Sequence, residues 1–197
     1  MTLDRFRSLA DRLLEPFLRG ALAIGLTPDA VSILAFLLAL GAAGAVYLGG
    51  IWYLLGAVLV FLNGSLDLLD GALARELDVD SRAGDLLDHV LDRYADVAIL
   101  AGLAAGVEQY ALGFAAVTGV LLTSYLGTQI EAIGMEREYG GLVGRADRLA
   151  LIAVVAVVAS FDPATPVLSV VGWLLAVLAV VGHLTAVQRF AGSWRAL

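Results

Sequence analysis

"SLDLLDGALARELDVDSRAGDLLDHVLDRYAD", residues 65–96, carries nine carboxylates inside a chain that is otherwise strongly apolar. Its spacing is the first clue: Asp67, Asp70, Gly71, Ala74 and Arg75, then eight residues, then Gly84, Asp88 and Asp92. At about 100° per residue, Asp67, Asp70, Gly71 and Ala74 fall on one stripe of a helix, and Gly84, Asp88 and Asp92 on one stripe of the next. A short connector makes these helices antiparallel neighbours, so the two stripes are expected to face each other across one cleft.

The surrounding sequence says what kind of helices these are. Of the 197 residues 60% are hydrophobic, and the mean hydropathy is +0.90, well above a water-soluble domain. Apolar stretches near the ~20 residues that cross a bilayer lie at 29–49, 51–73, 85–106, 109–133, 146–161 and 164–188. The predicted fold is an all-α integral membrane protein with six transmembrane helices. "GG" at 49–50, "GVEQ" at 106–109 and "FDPATP" at 161–166 read as tight turns between antiparallel spans. Eleven of the twelve arginines fall before the first span, after the sixth, or in the loops after the second and fourth, and Arg93 lies within the third. Basic residues mark the cytoplasmic side, so both termini and the acidic segment are expected there, in a multi-pass protein of the cell membrane.

Residues 1–28 lack the long apolar run of a signal peptide. Leu3, Phe6, Ala10, Leu13 and Phe17 recur at helical spacing opposite Asp4, Arg5, Asp11 and Arg12, which predicts an amphipathic juxtamembrane helix, lying on the interface or packed on the bundle, with Pro16 kinking or ending its first part. The expected organisation is therefore an interfacial helix over 1–28, a membrane domain over 29–190 and a short tail over 191–197. Absence of cysteine excludes disulfides and thiolate metal sites. A net charge of −7 gives no reason to expect a nucleic-acid partner, and the use of arginine without any lysine suits a salt-loving archaeon.

Depth makes the aspartates informative. Asp67 lies eight residues inward of Arg75, or about 12 Å at 1.5 Å per residue. An aspartate at the centre of a span costs about 2.5–3.5 kcal/mol to insert, so stability alone does not account for four. Carboxylates that converge repel one another, and a hard divalent cation such as Mg²⁺ or Mn²⁺ relieves the repulsion. Mg²⁺ usually joins carboxylates to a substrate's phosphates, which calls for a phosphorylated ligand. Gly71, Ala74 and Gly84 on the same stripes would let a bulky ligand approach the backbone, although small residues also serve helix packing. Arg75 at the mouth is suited to a phosphate or ribose-linked oxygen.

The string D67LLDGALAR75 with Gly84, Asp88 and Asp92 resembles the signature of the CDP-alcohol phosphatidyltransferases at all eight fixed positions. "GLTPDAVS" before the first span, the number of spans and the juxtamembrane helix extend the likeness over most of the chain, toward the phosphatidylinositol-phosphate and phosphatidylglycerol-phosphate synthases and their archaeal relatives. The resemblance implies a transferase of phospholipid biosynthesis (EC 2.7.8.-). It would move a diacylglycerol- or archaeol-phosphate group from a CDP-linked lipid to a small polar alcohol and release CMP. By the same resemblance Asp67, Asp70, Asp88 and Asp92 would hold one or two Mg²⁺ or Mn²⁺ ions, and Asp92 would take the proton of the attacking hydroxyl. Asp67, Asp70, Gly71, Ala74, Arg75 and Gly84 would bind CDP. A homodimer in contact with membrane lipids is also implied.

Residues 124–148 resemble the region where such synthases bind the acceptor's phosphate. Gly127 and Gln129 stand where basic residues are usual, while Arg145 and Arg148 remain. A two-arginine fork suits a phosphate monoester, so a phosphorylated polyol is expected, with glycerol phosphate slightly ahead of inositol phosphate; span anchoring alone is the competing explanation for both arginines. Asp80 or Ser81 should cap the third span, Arg93 should pair with an acid, Asp85 and Asp96 are candidates for supporting roles, and His89 and His183 are expected to be satisfied interior histidines. Two other classes share some of these features. An intramembrane prenyltransferase also uses aspartates and Mg²⁺ but separates its acidic motifs widely, and a divalent-cation channel or transporter explains the acids without the fixed small residues.

Overall fold

The computed structural model describes residues 7–79, 81–135, 143–161 and 168–197. Its elements are helices: α1 Arg7–Ala23, α2 Pro28–Leu48, α3 Trp52–Glu76, α4 Arg82–Gly106, α5 Tyr110–Ala132, α6 Arg145–Ala159 and α7 Val170–Ala196. Helices α2 to α7 occupy the six apolar stretches. By length and composition α2, α3, α5 and α7 are able to cross a membrane. Helix α4 is as long as α3 but carries Asp85, Asp88, Asp92 and Asp96 together with Arg82 and Arg93, and α6 has only 15 residues.

Local chemistry sets the starts of several helices. Thr27 caps α2, its hydroxyl accepting from Ala30 N at 3.3 Å with Pro28 in the first turn. Ser81 caps α4 through Gly84 N at 3.3 Å, as one of the two expected candidates; the other, Asp80, lies outside the described residues. Ser169 caps α7 through Gly172 N at 3.1 Å. Between α3 and α4 the chain turns with Asp78 at φ 51°, a left-handed value that aspartate tolerates better than most residues. Most of "FDPATP" lies outside the described residues.

Of the two outcomes expected at Pro16, an end is excluded, since helix α1 continues through it to Ala23. Residues 191–196 of the expected tail are helical, so α7 runs on past the apolar stretch. In α1, Phe17 faces outward at 66% exposure while Ala21, with Leu18 and Leu22, packs on Val31 of α2 and Leu69 and Leu73 of α3.

Helix α2 packs against α3 and α4, α5 against α7 and α4, and α6 against α3 and α7. The core mixes Leu, Ile and Val with many small residues, among them Ala39, Ala42, Ala95, Ala104 and Ala116. A Cβ on Gly102 would stand 2.4 Å from the Ala43 carbonyl oxygen, and one on Gly106 2.8 Å from that of Val46. This Gly-x-x-x-Gly pair lets the backbones of α2 and α4 touch, a contact typical of membrane helices. Large apolar side chains such as Phe61, Phe114 and Val180 point outward from the bundle. A helix that is apolar on every face belongs in a protein interior or in lipid.

Candidate active site

The acidic stripes of α3 and α4 do face each other. One carboxylate oxygen from each of Asp67, Asp70 and Asp88 lies within 4.8 Å of the others. Asp70 is buried, and its Oδ2 accepts from the Ser32 hydroxyl of α2 at 2.7 Å. Asp92, one turn beyond Asp88, stands outside this trio and pairs with Arg145 Nη2 at 2.6 Å. The same guanidinium is ion-paired to Asp67 through Nη1, so Arg145, at the start of α6, ties Asp92 of α4 to Asp67 of α3.

On either side of this row lies a cavity. The smaller, about 340 Å³, is lined by Thr27, Asp29, Ser32, Asp70, Gly71, Ala74, Gly84 and Asp88 among others. A Cβ on Gly84 would come to 3.0 Å from Asp29 Oδ1, so that carboxylate lies directly over the glycine backbone. The larger cavity, about 610 Å³, is lined by Asp92, Arg93, Ser124, Thr128, Arg145, Arg148 and Arg189 among others. Four arginines and one carboxylate are thus among its lining residues.

Most residues singled out in the sequence meet here. Asp67, Asp70 and Asp88 converge; Gly71, Ala74 and Gly84 line the smaller cavity; Asp92, Arg145 and Arg148 line the larger. Arg75 is exposed and folds back over Gly71, its Nη1 lying 3.5 Å from where a Cβ would be. Gly127 is buried against the larger cavity and Gln129 is exposed. Arg93 pairs with acids as expected, at 3.4 Å from Asp92 and 3.9 Å from Asp96, and also donates to the Ser124 hydroxyl. His89 lines the larger cavity with Nδ1 2.8 Å from the Asp85 carbonyl. His183 is at the bundle surface instead of inside it, with Nε2 3.4 Å from the Thr118 hydroxyl.

Sequence reasoning missed Ser32, Asp29 and Arg189 as members of these cavities. The first two sit inside "GLTPDAVS", a string noted only for its resemblance, and they reach the acids because α2 packs between α3 and α4. Arg189 comes from the far end of the sequence; its Nη1 donates to the Thr123 carbonyl at 2.7 Å, which fixes α7 against α5 beside the cavity. Nothing local to Arg189 announces that placement.

The donor set answers whether a cation fits. All three converging ligands are carboxylate oxygens, with no nitrogen or sulfur among them, which is the set a hard divalent ion takes. A cavity opens on each side of this centre, each far larger than a single phosphate group. The family model for CDP-alcohol phosphatidyltransferase matches residues 25–187, and the chain belongs to that family. It is thus a metal-dependent transferase of phospholipid biosynthesis. It is similar to the phosphatidylinositol phosphate synthase of Mycobacterium tuberculosis, at 34% identity covering 95% of this chain and 88% of the relative. The archaetidylinositol phosphate synthase of Methanothermobacter thermautotrophicus is 30% identical, covering 99% and 95%. Crystal structures of the M. tuberculosis enzyme superpose with TM-score 0.78: one with CDP-DAG bound, 32% identical and covering 93% of this chain and 94% of that one, and one with manganese and citrate, 31% identical and covering 91% and 88%.

Proposed function

We propose that the protein transfers the phosphatidyl-type group of a CDP-linked lipid to a hydroxyl of inositol phosphate, releasing CMP. The observation that carries this reading is the row of acids running from the small-residue cavity to the arginine-lined one. The smaller cavity takes the cytidine diphosphate end, held by Asp67, Asp70, Gly71, Ala74 and Gly84 with Arg75 at its mouth. The larger takes the acceptor, its phosphate facing Arg145 and Arg148, joined by Arg93 and Arg189. The relatives support inositol phosphate ahead of glycerol phosphate, which reverses the preference drawn from Gly127 and Gln129. Two of the basic positions those relatives' chemistry suggested are replaced here, but the wall still holds four arginines.

Asp67, Asp70 and Asp88 would hold the divalent ion, with Asp92 beside them. When bound, the ion offsets the charge of the diphosphate and of the departing CMP. Asp92 accepts the proton of the acceptor hydroxyl, since an alcohol is a weak nucleophile until a base takes it. The freed oxygen bonds to the lipid-side phosphorus, and the bridging phosphorus–oxygen bond to CMP breaks. The arginines orient the acceptor by its phosphate, so that its hydroxyl and not its anionic end meets the reacting phosphorus.

The four long apolar helices and the outward-facing apolar side chains support a multi-pass protein of the cell membrane. We take α4 and α6 as the remaining two spans, their polar ends covered by the site, with the site and both termini on the cytoplasmic side. A homodimer is part of the same reading. The decisive assay mixes purified protein with Mg²⁺ or Mn²⁺, a CDP-lipid and, separately, inositol phosphate, glycerol phosphate, serine and free inositol, and scores CMP. Release with inositol phosphate is expected; release with serine alone would sink the arginine-wall reading.

A further inference from the structure

One buried acid has no part in the carboxylate trio. Asp96 is 3% exposed and sits one turn beyond Asp92 on the same face of α4. Its Oδ2 accepts from Arg148 Nη2 at 2.7 Å. Arg93 Nη2 stands 3.9 Å from the same oxygen, and Arg145 Nε 3.9 Å from Oδ1. These three arginines come from two helices, and all three line the larger cavity.

Guanidinium groups brought this close repel one another and would splay toward solvent. Two of the three have an additional tie: Arg145 to Asp67 and Asp92, Arg93 to Asp92 and Ser124. Among the described residues, Asp96 is the one carboxylate within 4 Å of all three. It lowers the summed charge of the cluster without neutralising it, and it fixes where each guanidinium stands. We propose that Asp96 is a positioning residue for the acceptor site, setting the spacing of Arg93, Arg145 and Arg148 so that together they fit one phosphate monoester. The proposal rests on the reading that the larger cavity takes the acceptor.

A plain structural pair between α4 and α6 is the competing account, and kinetics separates the two. In Asp96→Asn the KM for the phosphorylated acceptor is expected to rise about tenfold or more, while the KM for the CDP-lipid shifts by less than about twofold. Asp96→Glu, which keeps the charge, should recover most of the difference. Removing one member of a buried pair is strongly destabilising, so a second comparison uses Arg148→Met against the double variant D96N/R148M, in which no charge is left buried through loss of that partner. The double variant is expected to have the higher acceptor KM, because Arg93 and Arg145 lose their shared anchor as well. Equal acceptor KM in these two variants, or equal shifts in both KM values for Asp96→Asn, would overturn the proposal. Failure of the functional reading shows up separately, as wild-type protein that releases no CMP with any phosphorylated acceptor.

Discussion

Asp70 and Asp92 carry the same functional group in different company. Asp70 is buried under the Ser32 hydroxyl and shares a centre with two other carboxylates; Asp92 opens onto the arginine-lined cavity and is paired to Arg145. Asp92→Asn is expected to keep CDP-lipid binding in an equilibrium assay and to lose about 10²–10⁴ in turnover, the usual share of a general base. A turnover close to wild type would remove Asp92 from that role. Ser32→Ala takes away the donor that orients Asp70. The Mn²⁺ concentration for half-saturation, followed by the paramagnetic signal of the free ion, is expected to rise about tenfold, and Ser32→Thr should restore it. At this scale the sequence was highly legible: fixed offsets within 26 residues placed Asp67, Asp70, Asp88 and Asp92 on facing stripes because helical periodicity is local. Ser32 was not legible, since its partner is 38 residues away and only packing of α2 against α3 brings them together.

Among the elements, α2 and α4 meet backbone to backbone, and that seam serves the site. Helix α2 delivers Thr27, Asp29 and Ser32, α4 delivers Asp88 and Asp92, and their mutual distance is set lower down where Gly102 and Gly106 meet the backbone of α2. Gly102→Ala forces a methyl onto the Ala43 carbonyl, and overpacking of this kind costs about 1–3 kcal/mol. A lower melting temperature in detergent is expected, together with weakened activity from a displaced Ser32. Ser81→Ala removes the cap of α4 for about 1 kcal/mol and should lower the melting temperature without changing the acceptor KM. Helix positions followed from the apolar stretches, whereas the continuation of α1 through Pro16 and of α7 to Ala196 did not. Propensity argues against proline within a helix, and the packing of Ala21, Leu18 and Leu22 on α3 outweighs it.

For the whole molecule, the first residues of α2, α4 and α6 and the last of α3, α5 and α7 contribute to the two cavities, so the site lies at one end of an up-and-down bundle. Since the chain has no cysteine, single cysteines can report topology directly. A cysteine in place of Leu77 or Ser193 is expected to react with a membrane-impermeant maleimide only from the cytoplasmic side, and one in place of Gly50 or Glu108 only from the other. The reverse pattern would overturn the orientation read from the arginines. Charge bias is what makes an orientation expected from sequence, whereas the assembly of the arginine wall gives no such signal, because Arg93, Arg145 and Arg189 belong to three helices and converge only once α5, α6 and α7 have packed.

In the proposed reading, the donor half and the acceptor half are therefore separated in the order of synthesis. Every acid of the row is present once a ribosome has passed α4, and α3 and α4, with α2 packed between them, already supply the lining of the smaller cavity. The second cavity waits for Arg145 and then for Arg189 in the seventh helix, so a nascent chain acquires the parts for gripping its donor well before it has the parts for choosing whom to give it to.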